Sequence, residues 1–201
     1  MAVREIDVAD KGFLLVTMQP PPAFEEEFNA WYDTEHLPER LAVPGFETAL
    51  RFVCVSGHPR YLAMYDLAHP QVLDSAEYLK VAFANSSPWT LRVLQRVRVY
   101  RAFGRQIYPG NALTGTCARV ELLRFRDRPA SAAEEIVSGM RANFEKRPET
   151  AQVRVFAYED RGGTDFIGFV EQRVPGLAAL DVKPFGAQAA AIDLASIYAP
   201  Y

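Results

Sequence analysis

The stretch Phe28 to Phe46, FNAWYDTEHLPERLAVPGF, places a tryptophan, a tyrosine, two acids and a histidine within six residues. His36 is the side chain there whose ordinary titration lies nearest neutrality, which suits it to general acid–base work. It follows Tyr32 by four residues, so the two share a helical face, and Trp31 and Glu35 form the neighbouring pair. Asp33 is turned from Trp31 by ~200° at ~100° per residue and falls outside the same wall. The chemistry implied is proton transfer on a small organic molecule, with His36 as acid/base and Tyr32 orienting it. A rate set by His36 is then expected to follow a group that titrates near neutral pH. The same residues also admit a purely structural role. A histidine at a helix C-terminus donates to free carbonyls and favours the negative end of the dipole.

Other side chains could complete such a site. Arg51, in FETALRFVCV, alternates with Leu50 and Phe52 and shares a face with Glu47. If buried it needs a partner, either Glu47 or the carboxylate or enolate of a substrate. Arg51 is the third candidate catalytic residue. Phe28 and Trp31 belong to an apolar stripe with Phe24, the usual mark of a core-facing helix, and they line any pocket that core encloses. Tyr61 and Tyr65 share one strand face; their hydroxyls either orient a substrate or reach solvent at a sheet edge. Trp89, in NSSPWT, either closes a cleft or packs. His58 and His69 precede prolines and read as surface turn residues.

No glycine-rich phosphate loop follows a strand, no GxSxG elbow occurs, and the histidines lack ligand spacing. The expectation is no metal and no cofactor. Cys54 and Cys117 are isolated and read as reduced small hydrophobes of a cytoplasmic protein. The chain has 201 residues, 49% of them hydrophobic and 23% charged, with a formal net charge of −3. That permits a sizeable core and offers nucleic acid no basic stripe. No apolar run approaches the ~20 residues of a membrane span, and MAVREIDVADKG has no signal-peptide core.

The elements come in two similar series. GFLLVTMQ is a strand, and a helix opens at Pro22 and ends near His36 or Leu37, because Pro38 follows. FETALRFVCV and YLAMYDLA are strands joined through SGHPR. HPQVLDSAEYLKVAFA is a second helix, and the residues from Thr90 to Tyr108 form a long fourth strand. PGNALTG is a linker. The order then restarts: a strand in TCARVELLRF, a helix from Ser131 with Glu134 as a capping box, two strands around Arg161-Gly162-Gly163, a helix in GLAALDVKPFG and a last strand in AAIDLASIY. The fold class is α+β: two ferredoxin-like β-α-β-β-α-β units, 1–108 and 109–201, whose bare sheet faces pack into one barrel within the chain.

The pattern of Phe28, Trp31, Asp33, His36 with Pro38, Pro44-Gly45 and Arg51 resembles the EthD-like members of the dimeric α+β barrel superfamily. That resemblance implies a ferredoxin-like fold pairing into a barrel. It also implies enzymes that include polyketide cyclases, lactone isomerases, monooxygenases and haem proteins. The second series has Lys146 and Arg147 at the corresponding helix end and no histidine, so the site is expected in the first half. The function expected is a cofactor-independent isomerase, cyclase or lyase acting on a small aromatic or cyclic acid or ketone, as a monomer or homodimer. The alternatives are a small-molecule-binding protein without turnover and a cofactor-free monooxygenase.

Overall fold

A computed structural model describes residues 11–160, 162–175 and 180–201. The first ten residues, in which no signal-peptide core is expected, Arg161 of the hairpin signal and the start of the late helix fall outside the described residues. Eight strands form one closed antiparallel barrel. They are β1 Gly12–Gln19, β2 Leu50–Ser56, β3 Tyr61–Leu67, β4 Arg98–Tyr108, β5 Arg119–Arg128, β6 Thr150–Asp160, β7 Gly163–Gln172 and β8 Ile192–Pro200. Around the barrel they run β1-β3-β2-β8-β5-β7-β6-β4. The first-half strands form the arc β4-β1-β3-β2 and the second-half strands the arc β8-β5-β7-β6. The arcs meet where β2 pairs with β8 and β4 with β6.

Alternation along each strand divides the core. Phe13 and Leu15 of β1, Leu62 and Met64 of β3 and Phe52 of β2 fill the barrel with Val120, Leu122, Phe156 and Phe169. The opposite faces carry the helices. Leu14 and Met18 of β1 and Tyr61 and Tyr65 of β3 pack under Phe24, Phe28, Trp31 and Tyr32. Helix α1, Glu25–Trp31, starts after a turn at Pro22–Phe24 and has Glu25, Glu26 and Glu27 in its first turn, where acids favour the dipole. It continues through a π-helical turn, Tyr32–His36, into α2, Leu37–Leu41.

Several expectations are corrected here. The first helix does not stop at Leu37, because the wide turn accommodates Pro38, which has no N–H to offer. The second helix breaks into a turn at Pro70–Asp74, α3 at Ala76–Leu79 and a turn at Phe83–Asn85. Thr90 to Leu94 is helical rather than extended: α4, Pro88–Leu94, opens on Pro88, and the Ser87 hydroxyl accepts the Thr90 N–H at 3.0 Å. Ser131 caps nothing, since a 3₁₀ turn at Ala130–Ala132 precedes α5, Ala133–Met140, and displaces the helix start. The late helix is a 3₁₀ segment at Lys183–Ala191.

Inside the barrel a buried polar group joins the two halves. Arg154 Nη1 donates to Asp66 Oδ1 at 2.7 Å, and Nη2 donates to Thr114 Oγ1 and lies 3.5 Å from Glu171 Oε1. The guanidinium lies against the Phe156 and Phe169 rings, at 5.0 and 5.1 Å. Linker backbone completes the group: Thr114 N–H donates to Asp66 and Gly115 N–H to Glu171. Asp66 comes from the first arc, Arg154 and Glu171 from the second.

Glu121, buried on β5, has its carboxyl pushed up to about 7 by burial, with Arg147 pulling the other way. Below its ordinary value of 4.5 both folded and unfolded chains hold the proton. As pH rises the unfolded chain releases it first, so stability falls by up to about 3 kcal/mol by the time pH passes the folded value. Glu121→Gln is therefore expected to match the wild type at pH near 4 and exceed it above about pH 7. Urea midpoints at the two pH values check this; a gap that does not grow with pH refutes it.

Candidate active site

Leu37 N–H bonds the Tyr32 carbonyl, five residues back, and this widening defines the π-helical turn. Asp33 is exposed on one side of it, while Tyr32 is buried and His36 half-buried on the other. A second π-helical turn, Arg141–Glu145, follows α5 in the same way, so the turn belongs to the architecture and the side chains it presents make the difference.

His36 lies among aromatic rings, its own ring 4.3 Å from Trp31 and 5.1 Å edge-on to Tyr32. Its Nδ1 is buried with no hydrogen-bond partner. Burial, then Arg40, then Arg51, hold the imidazole down at about 3. This corrects the expected titration near neutrality: the ring is a neutral acceptor across the physiological range. His36 lines a cavity of about 150 Å³ with Leu14, Val16, Arg40, Tyr65, Tyr78, Thr90 and Arg101. A smaller cavity of about 40 Å³ is lined by His36, Phe28, Trp31, Tyr32 and Met18. The Tyr32 and Tyr65 hydroxyls bond each other at 2.8 Å, and burial raises Tyr32 to about 12 and Tyr65 well above its ordinary value. Both stay protonated; one donates to the other, which leaves the second hydroxyl's proton free to donate.

Trp31 is fixed by donating Nε1–H to Thr90 Oγ1 at 3.0 Å, and Glu35 accepts from the Ser87 and Thr90 hydroxyls. These bonds tie the π-helical turn to α4. Phe83 stands at the cavity with 63% of its surface exposed and a left-handed φ of 55°. A bulky residue is strained there. Phe83→Gly is expected to leave stability within about 1 kcal/mol of wild type, because relief of that strain offsets glycine's chain entropy. It should speed ligand release, read by stopped flow; a destabilisation well beyond that, or unchanged release, contradicts a rim role.

Arg51 is elsewhere. It pairs with Asp33, donates to Asn29 Oδ1 at 2.6 Å and lies 4.4 and 4.1 Å from the Tyr32 and Tyr201 rings. Glu47 is held by Lys11 at 2.6 Å instead. Arg51 lines a second cavity, of about 260 Å³, with Asp33, Phe52, Cys117 and Tyr201. Arg51 and His36 therefore line different cavities, with the Tyr32 ring near both. Tyr61 is also off the cavity: its hydroxyl donates to Glu25 at 2.5 Å and accepts from Asn29 at 3.0 Å. Nor does it reach a sheet edge, since β3 is paired on both sides. Trp89 packs half-buried against the helix-side core, because the α4 start turns Thr90, not Trp89, toward the cavity.

No protein-family model and no curated protein matches the chain. Solved structures do. An anthrone oxidase-like protein superposes with a TM-score of 0.64 at 11% identity, covering 97% of this chain and 92% of that one. A mutant chlorite dismutase from Candidatus Nitrospira defluvii, in complex with cyanide, gives 0.58 at 9% identity, covering 95% and 90%. A protein from Lactobacillus acidophilus NCFM, provisionally named a monooxygenase, gives 0.51 at 9% identity, covering 96% and 93%. The fold is that of the dimeric α+β barrels. At these identities the likeness establishes architecture alone.

In this α+β barrel the space between helix and sheet is treated differently in the two halves. Behind the second arc it is packed with Phe125, Met140, Phe144 and Phe185. Phe185 and Met140 fit so closely that a Cβ on Gly139 would come within 2.3 Å of the first, and one on Gly168 within 2.5 Å of the second. Sequence reasoning missed Arg40, Tyr78 and Arg101. Arg40 carried a signal: it follows His36 by four residues, the same spacing that drew attention to Tyr32. Tyr78 and Arg101 carried none, being brought in by the broken second helix and by β4.

Proposed function

We propose that the two arcs are two ferredoxin-like units, 1–108 and 109–201, and that the first is an enzyme site for proton transfer without a cofactor. The substrate is a small aromatic or cyclic ketone or acid that enolises. One observation carries the reading: the buried, unpartnered Nδ1 of His36 on an apolar cavity. Buried polar atoms are almost always paired, so an orphan acceptor invites a ligand proton. His36 takes a proton from carbon, the C–H pair moves onto the carbonyl oxygen, and the same imidazolium returns the proton at another carbon or to a leaving group. The low affinity of His36 for a proton has three causes, and an enolate formed beside it offsets the two that come from Arg40 and Arg51. The Tyr32–Tyr65 pair supplies one hydroxyl donor, held in place by the bond between the two. Phe28, Trp31 and Tyr65 contact the substrate; Arg51, Tyr61 and Trp89 act at a distance by holding the walls.

Among the described residues no helix is long and apolar enough to cross a membrane, and no cluster of metal-ligating side chains occurs. The proposal places the protein in the cytoplasm, as a monomer or homodimer. The test is hydrogen exchange: cyclic ketones, lactones and hydroxyarenes are incubated in D₂O with protein, and loss of α-proton signals is followed by NMR. Accelerated exchange that depends on His36 supports the reading; no acceleration across the panel sinks it. The aromatic walls favour a second reading, in which the deprotonated ring gives electrons to dioxygen as a cofactor-free monooxygenase does. Oxygen uptake with the same panel separates the two, and tight binding with neither signal identifies a carrier.

A further inference from the structure

We infer that the His36 cavity is an anion site, and that its ligand brings a carboxylate or enolate oxygen to Arg40. This rests on the reading of the cavity as a ligand site and specifies the charge that ligand must carry. Arg40 and Arg101 line the cavity, and no carboxylate does. The Arg40 side chain is 6% exposed. Its Nη2 donates to the Val81 carbonyl at 3.0 Å and lies 3.7 Å from Glu39 Oε2, while Nη1 is buried with no partner. Tyr78 links the two cations: its ring lies 5.2 Å from the Arg40 guanidinium, and its hydroxyl accepts from Arg101 at 3.1 Å.

Arginine offers five donors in a rigid fork and cannot shed its charge to escape burial. A sealed guanidinium nitrogen without an acceptor is costly, and a carboxylate oxygen is its best partner. The unpartnered Arg40 nitrogen and the unpartnered His36 ring nitrogen belong to residues that line one cavity, four residues apart along the chain. A ligand with an anionic oxygen next to an acidic C–H satisfies both at once. The apolar walls from Leu14, Val16 and Leu94 accommodate the rest of it.

The test is equilibrium binding, which needs no turnover. Matched acid and amide pairs (benzoate with benzamide, phenylacetate with phenylacetamide, cyclohexanecarboxylate with its amide) are titrated into the full-length protein by calorimetry. The His36 ring signals in the NMR spectrum report occupancy of this cavity. At least one acid is expected to bind more tightly than its amide by about tenfold or more. Arg40→Met, which keeps an unbranched apolar stem without the charge, should erase that preference, and Arg40→Lys should retain part of it. If Arg40→Met fails to fold, Arg40→Lys and Arg101→Met in the same titrations carry the comparison. Acids no tighter than amides, a preference that survives in every arginine variant, or no binding by any pair at millimolar concentration each overturns the inference. Arg40-dependent binding without proton exchange on any substrate leaves the anion site standing and removes the enzyme. Exchange on neutral ketones with no acid preference does the reverse.

Discussion

Arg154→Ala is expected to cost the fold about 3–5 kcal/mol, the usual penalty for stranding a buried charge. The substitution leaves Asp66 and Glu171 buried together with no cation between them. Burial and, less strongly, Asp66 already raise the Glu171 carboxyl, and removing Arg154 takes away the largest influence that opposes them. Total stability of a domain is only ~5–15 kcal/mol, so the loss is a large share of it. Asp66 belongs to the first arc and Arg154 to the second, and the damage should show as one lowered transition rather than local fraying. Urea unfolding followed by fluorescence and by circular dichroism measures it. Arg154→Leu combined with Asp66→Asn and Glu171→Gln should recover much of the loss, because no charge is then left unpaired. A cost under about 1 kcal/mol for Arg154→Ala would mean that water or a side-chain shift relieves the carboxylates, contrary to their burial.

The second large effect is on turnover. Once a substrate is in hand, His36→Gln should slow proton transfer by ~10²–10⁴-fold, the range for a lost general acid or base. The wild-type kcat/KM reports the free enzyme's base. With His36 held at about 3, that rate should not decline as pH falls through 6.5. Stability moves the other way. The unfolded histidine takes up a proton below its ordinary 6.5 while the folded one resists until about 3, so the wild type loses stability as pH falls through that window. His36→Gln lacks this penalty, and its melting temperature should fall less on acidification. A variant with full activity and uniformly lower stability would falsify the catalytic role and leave His36 a packing residue against Trp31.

Much of the architecture was legible because it rests on local patterns. The short apolar run GFLLVTMQ and the hairpin signal before YLAMYDLA marked strands, and the stripe of Phe24, Phe28 and Trp31 marked the face of α1 that is buried. Spacing paired His36 with Tyr32 and put Phe28 and Trp31 on one helical stripe, while Tyr65 was singled out separately on its own strand; His36 and Tyr65 line one cavity, and Phe28, Trp31 and Tyr32 line a smaller one with His36. Failures came where a tertiary choice overrides a local one. Pro38 normally ends a helix, but a π-helical turn one step earlier frees the position. The β-branched run after Trp89 looked extended, but Ser87 and Pro88 start a helix there. The partner of Arg51 was sought along its own strand in Glu47, whereas Asp33 crosses from the helix. Arg154 had no legible role, since nothing in AQVRVFAYED indicates that Asp66, 88 residues earlier, waits across the barrel.

Closing the barrel from two arcs of a single chain has a consequence for how the protein can change. A barrel assembled from two identical chains must accept each substitution twice, in symmetric places, so anything that fills one pocket fills both. Here each position occurs once. Phe185 and Met140 can occupy the space behind one arc while the space behind the other stays open around His36. The filled space behind one arc can stay fixed while the open space behind the other changes shape without a matching change in a twin.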